Sequence, residues 1–179
     1  MKSVLLVVLL FLLSYPVRPQ IIKKDGEYTG IDKFVLGESK AKFTGNITLA
    51  STYKKNNHEF TAYYYSPLPN ETIEIANTRF NYILMTFDDS DRLCELSVIK
   101  FYKKADIPHY EKEAEKDFKK ITAYLAEQLN QKGESKMYYK HPKSVFKGQE
   151  WLGTKTFLKV RKSYSAYTSS IEIYFSFRD

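Results

Sequence analysis

One cysteine, seven glycines and three histidines in 179 residues make a sparse stock for several kinds of site. Cys94 is alone and cannot close an internal disulfide, so the fold must stand on its core. It lies in RLCELSVI, which reads as strand, and a buried, unreactive thiol is the expectation. Glycine is too scarce for the backbone loops of many cofactor sites, and neither a Gly-rich phosphate loop nor G-x-S-x-G occurs. HExxH and paired Cys/His spacings are absent as well, so no catalytic residue, metal ligand or cofactor is assigned. Arginine is rare among the 28 basic residues, at Arg18, Arg79, Arg92, Arg161 and Arg178 only. Bidentate recognition of phosphates and bases prefers arginine, so nucleic acid is not the expected partner despite a net charge of +7. A weak attraction to anionic surfaces is what that charge implies.

The longest apolar run is at the start. Met1-Lys2 supplies a cation, Val4 to Leu13 is unbroken hydrocarbon, and Ser14-Tyr15-Pro16 stops it. About twenty apolar residues are needed to cross a bilayer, so this shorter run reads as a secretory signal over residues 1–20. An uncleaved anchor is the alternative. No second apolar span follows, and stable membrane insertion is not expected after cleavage. Removing Lys2 and Arg18 lowers the net charge from +7 to +5. Residues 21–179 then form one domain, secreted or periplasmic, large enough for a real core.

Patterning within that domain gives one helix between strand-rich halves. Tyr110, Ala114, Phe118, Ile121, Leu125 and Leu129 recur at helical spacing, with Glu111, Lys112, Glu115, Lys116, Lys119 and Lys120 opposite. Asp106 is the expected N-cap, Pro108 the first turn, and Lys132-Gly133 the close. Strands are expected over 46–53 and 59–65 around KKNNH, and over 80–87 and 92–102 around DDSD. A last hairpin pairs residues 155–162 with 170–178, where Ile171, Ile173, Phe175 and Phe177 alternate with polar neighbours. In GIDKFVLGESKAKF, Ser39 reads as the cap of a helical turn. The fold class is α+β, an antiparallel sheet with one long amphipathic helix on one face and the other face open.

Thr61 to Pro67 reads TAYYYSP, and three successive tyrosines must stand on both faces of a strand. With Phe60, Ala62 and Tyr64 toward the helix, Tyr63 and Tyr65 fall on the open face. Alternation adds Phe157, Lys159, Arg161 and Tyr174 to it. These six are the expected ligand-binding residues, aromatic rings and cations suited to a protein or a cell-surface ligand. Cross-strand aromatic pairs that merely stabilise a sheet are the competing account.

Other polar groupings carry less. His109, Glu113 and Asp117 form a helical column that reads as a surface charge ladder, and Asp88 to Asp91 reads as a hairpin turn lacking the glycine of a calcium loop. Asn46-Ile47-Thr48 and Asn70-Glu71-Thr72 are glycosylation sequons that matter only in a eukaryotic secretory route.

The element order, with LGESKAKF, the hairpin FNYILMTFDDSDRLCELSVIKFY, one long helix and a terminal lysine- and tyrosine-rich hairpin, resembles small exported proteins of Bacteroidetes. Among folds it is similar to the beta-lactamase-inhibitor-protein-like group. The resemblance implies helical elements on one side of an antiparallel sheet and a free face that grips partners. The chain lacks the paired cysteines of that inhibitor and the lipid-bearing cysteine of related envelope lipoproteins, and no functional residue is carried over. Three readings follow: a non-enzymatic binding or inhibitor-like module, an envelope-associated structural protein, and a hydrolase with dispersed catalytic residues.

Overall fold

The computed structural model describes residues 20–68, 71–141 and 144–178, with the side chains of 138–146 left aside. Residues 1–19 of the expected signal segment and Asn70 of its sequon lie outside the described residues. The chain runs β1 (Ile21–Lys24), β2 (Glu27–Ile31), β3 (Phe34–Val35), a short 3-10 helix (Lys40–Phe43), β4 (Ile47–Lys55) and β5 (His58–Tyr65). Next come β6 (Ile73–Ile75), β7 (Thr78–Phe80), β8 (Tyr82–Phe87), β9 (Leu93–Lys103) and helix α1 (Tyr110–Gln128). Four strands close it: β10 (Glu134–His141), β11 (Ser144–Leu152), β12 (Thr156–Tyr164) and β13 (Thr168–Phe177).

Eight of these strands form one antiparallel sheet in the order β10-β11-β12-β13-β9-β8-β5-β4. The last strand therefore sits in the middle, between β12 and β9, where Ile171, Ile173 and Phe175 are fully buried. Small sheets β1-β2-β3 and β6-β7 are separate from it. The α+β class holds, and the molecule is sheet-dominated with a single α-helix among the described residues.

All the covering elements lie on one face. Ala114, Phe118, Ile121 and Leu125 of α1 are buried, and Asp117 accepts hydrogen bonds from Tyr102 at 2.7 Å and Lys100 at 2.9 Å on β9. Burial alone would raise the Asp117 pKa, but these two donors outweigh it and hold the carboxyl below its ordinary value. Asp117 thus faces the sheet, which corrects its expected place in a surface ladder. The β1-β2-β3 sheet and the 3-10 helix cover the rest of this face. Phe34 meets Tyr65 edge-on at 5.0 Å, and Phe43 packs between Tyr65 and Phe87. Ser39 caps the 3-10 helix, its hydroxyl accepting from the Ala41 amide at 3.4 Å.

Glu27 fastens the N-terminal sheet to the β11–β12 turn. Its carboxylate accepts from the backbone amides of Thr154, Lys155 and Thr156 and from the Thr156 hydroxyl. A side chain on Gly153 would stand 2.6 Å from that carboxylate, which explains the glycine.

Both ends of α1 differ from expectation. The amides of Asp106 and Ile107 bond to the Lys103 carbonyl in a turn, so His109, not Asp106, occupies the N-cap, without a side-chain bond. At the other end Asn130 takes the left-handed conformation (φ 48°) expected of Gly133. Gly133 serves packing instead: a Cβ there would come 2.8 Å from the ring of buried Trp151.

Candidate functional site

The register defines the uncovered face row by row. Tyr64, Leu84, Ser97, Tyr174, Lys159 and Glu150 are successive partners across β5, β8, β9, β13, β12 and β11. Neighbouring rows on the same face hold Tyr82, Ile99, Glu172 and Arg161, and Ala62, Thr86, Glu95, Ser176 and Phe157. Phe157, Lys159, Arg161 and Tyr174 thus share this face, opposite α1.

Tyr63 and Tyr65 do not. They pair with the core residues Met85 and Ile83, and Tyr65 is 4% exposed, whereas Tyr64 is 50% exposed on the uncovered face. The expected faces of β5 are exchanged. The Tyr65 hydroxyl is fixed among polar partners: it donates to Glu71 and accepts from Lys33, each at 2.6 Å, and Lys33 also pairs with Glu71. Burial and the Glu71 bond raise the Tyr65 pKa; hydrogen bonds to Glu71 and Tyr65 overcome burial to raise that of Lys33. Lys33 and Tyr65 likewise overcome burial to lower Glu71. Every shift deepens the resting state of ammonium, phenol and carboxylate, so the trio clamps a core tyrosine and poises no base or nucleophile at neutral pH.

Two chemistries occupy the open face. A polar belt crosses its centre. Arg161 grips Glu172 through Nε at 2.8 Å and through Nη2, while Ser97 Oγ donates to the other Glu172 oxygen at 2.6 Å. Glu150 lies between Lys136 and Lys159, the latter at 2.8 Å. Rings rest against these cations, with Lys159 Nζ 4.9 Å from the Phe157 centroid and the Arg161 guanidinium 5.3 Å from that of Tyr174. Phe157 and Tyr174 meet at 5.6 Å, and burial raises the Tyr174 pKa well above the ordinary phenol value.

Beside the belt lies an apolar groove of about 450 Å³ lined by Tyr64, Tyr82, Leu84, Ile99 and Phe101 with Pro67 at its end. Tyr82 is 42% and Phe101 45% exposed, and the two rings meet edge-on at 5.1 Å. Sequence reasoning missed this groove. Alternation along FNYILMTF cannot say which of its apolar sets faces the core, and only pairing with β9 assigns Tyr82 and Leu84 to the other side.

The remaining polar groups are structural or separate. His58 Nδ1 lies 3.1 Å from Asp89, and Asp88 Oδ1 accepts from the amides of Ser90 and Arg92, closing the β8–β9 turn. Cys94 sits where the β8–β9 register shifts; burial pushes its thiol up to about 12. Among the described residues, no three His, Cys, Asp or Glu side chains converge as a metal site, and no helix is long and apolar enough to cross a membrane. No protein-family model, curated protein or solved structure matches the chain.

Proposed function

We propose that the protein is an exported, non-enzymatic binding module that holds a protein or cell-surface ligand on the open face of its sheet. One observation carries the reading: Tyr64, Tyr82 and Phe101, each at least 40% exposed, stand together on the uncovered face beside a groove of about 450 Å³. Exposed aromatic rings clustered in a groove are common anchors of interface energy. The Arg161 guanidinium, held in place by Glu172 and one-third exposed, supplies an oriented polar group beside them. The amphipathic pattern of α1 supports this division of labour, since the helix fills one face and leaves the other for use. Export rests on the run Val4 to Leu13, which as a signal segment would be removed near residue 20. The likeness of element order to the beta-lactamase-inhibitor-protein-like group belongs to the same proposal.

Tyrosine-directed chemical labelling tests the face. Tyr64 and Tyr82 label in the free protein and become protected on adding a surface fraction from the source cells. Tyr167, 75% exposed in the β12–β13 turn, stays labelled. Protection of Tyr167 with Tyr64 and Tyr82 unchanged would move the contact off this face.

A further inference from the structure

We propose that the cavity where the three sheets meet binds a small neutral molecule with an apolar body and one acceptor oxygen. This site lies on the covered side of the main sheet and is independent of the open face.

Packing is the first reason. Phe34 of β3, Tyr65 of β5, Ile73 of β6, Phe80 of β7 and Ile83 of β8 wall a cavity of about 240 Å³. Each of the five is between 2% and 7% exposed, so the walls belong to the core and are already in place. Protein interiors keep few voids larger than a water molecule. Apolar cavities of about 150 Å³ stay dry and take up benzene. The present cavity is larger, and a single ring with a few substituent atoms fits its volume.

Polar groups at the mouth define the rest of the ligand. Asp32, Lys33 and Glu71 line the opening. Glu71 is fully occupied, its oxygens accepting from Lys33, from the Tyr65 hydroxyl and from the Leu68 amide. An ammonium has three donors, and among the described residues Lys33 places two, on Tyr65 and Glu71. The third is left for an acceptor oxygen on the ligand.

Charge on that ligand is disfavoured in both directions. Glu71 already balances Lys33, and the Asp32 carboxylate beside them repels an anion. A cation meets the Lys33 ammonium, and either ion loses its hydration among apolar walls. Water is a poor occupant too, since a buried water needs two to four polar partners and the five wall residues offer only the engaged Tyr65 hydroxyl.

The experiment uses p-cresol as the probe, with p-toluate and p-methylbenzylammonium as charged analogues of the same shape. Each is titrated into the full folded domain at neutral pH while the isoleucine and leucine methyl resonances are followed. The Ile73 and Ile83 methyls should shift saturably with p-cresol, while Ile121 and Ile171, fully buried elsewhere in the core, stay unmoved. Both charged analogues should bind at least about tenfold more weakly. Ile73→Phe, which fills the cavity, should weaken p-cresol by a similar factor. If that variant does not fold, the wild-type methyl shifts still decide. No saturable shift at Ile73 and Ile83 overturns the site. Shifts confined to Leu84 and Ile99 would place the probe in the open-face groove and overturn it equally. Charged analogues that bind as well as p-cresol overturn the neutral class of ligand.

Discussion

Tyr64 and Tyr65 are neighbours in the chain and belong to opposite sides of the molecule. Tyr64 is half exposed on the open face, while Tyr65 is buried under Phe34 with its hydroxyl 2.6 Å from Glu71. The strand imposes this separation, because successive side chains of β5 point to opposite faces. One tyrosine is therefore available to a partner and the other serves the core.

Their substitution separates the two roles. Tyr65→Ala removes a packed ring and leaves Lys33 and Glu71 without its hydroxyl, and should cost about 3–5 kcal/mol. Tyr64→Ser should cost about 0.5 kcal/mol or less, as surface positions do. Chemical denaturation of both variants measures the difference.

That pair also marks the limit of what the sequence discloses. The helix stripe from Tyr110 to Leu129 was legible because its polar and apolar positions differ, and every expected stripe residue is buried. The β13 alternation was legible for the same reason at Ile171, Ile173 and Phe175, though Phe177 at the strand end is 43% exposed. In AYYY both faces carry the same residue, so a shift by one leaves the pattern unchanged and the face undecided. The belt was half visible: Lys159, Arg161 and the hairpin strand carrying Glu172 stood out, but Glu150 comes from β11, a strand whose weak alternation hides it. The hairpin of β10 and β11 was not recognised, because ESKMYYKH and SVFKGQEWL alternate too weakly.

Two core substitutions test the packing beneath α1. Leu125→Ala should cost about 2–5 kcal/mol, since Leu125 is fully buried. Gly133→Ala drives a methyl to within 2.8 Å of the Trp151 ring and should destabilise by about 1–3 kcal/mol. Urea unfolding monitored by Trp151 fluorescence measures both.

Acid should loosen the N-terminal sheet through Glu27. The Thr156 hydroxyl and the turn amides, working against burial, hold its pKa below the ordinary 4.5. The unfolded state therefore binds the proton more readily. Stability from Glu27 is complete above pH 4.5 and is lost as pH falls through the lower folded value. Glu27→Gln should flatten the melting temperature across that acidic window. A slope identical to wild type would show that the contact is not linked to folding.

Cys94 should behave as an inert thiol. Burial pushes its pKa to about 12, leaving almost no thiolate at pH 8. A chromogenic disulfide reagent should react slowly with the native protein and promptly after denaturation. Rapid reaction in the native state would place Cys94 at an accessible, activated position.

The open face itself is tested most directly by one comparison of binding with folding. A Tyr64→Ser, Tyr82→Ser, Phe101→Ser variant is melted alongside wild type, and both are measured for retention on a surface fraction of the source cells. We predict near-equal melting temperatures and a loss of retention of at least about tenfold, as for anchor residues at an interface. Retention unchanged in a variant that melts with wild type would contradict the assignment of this face as the binding surface.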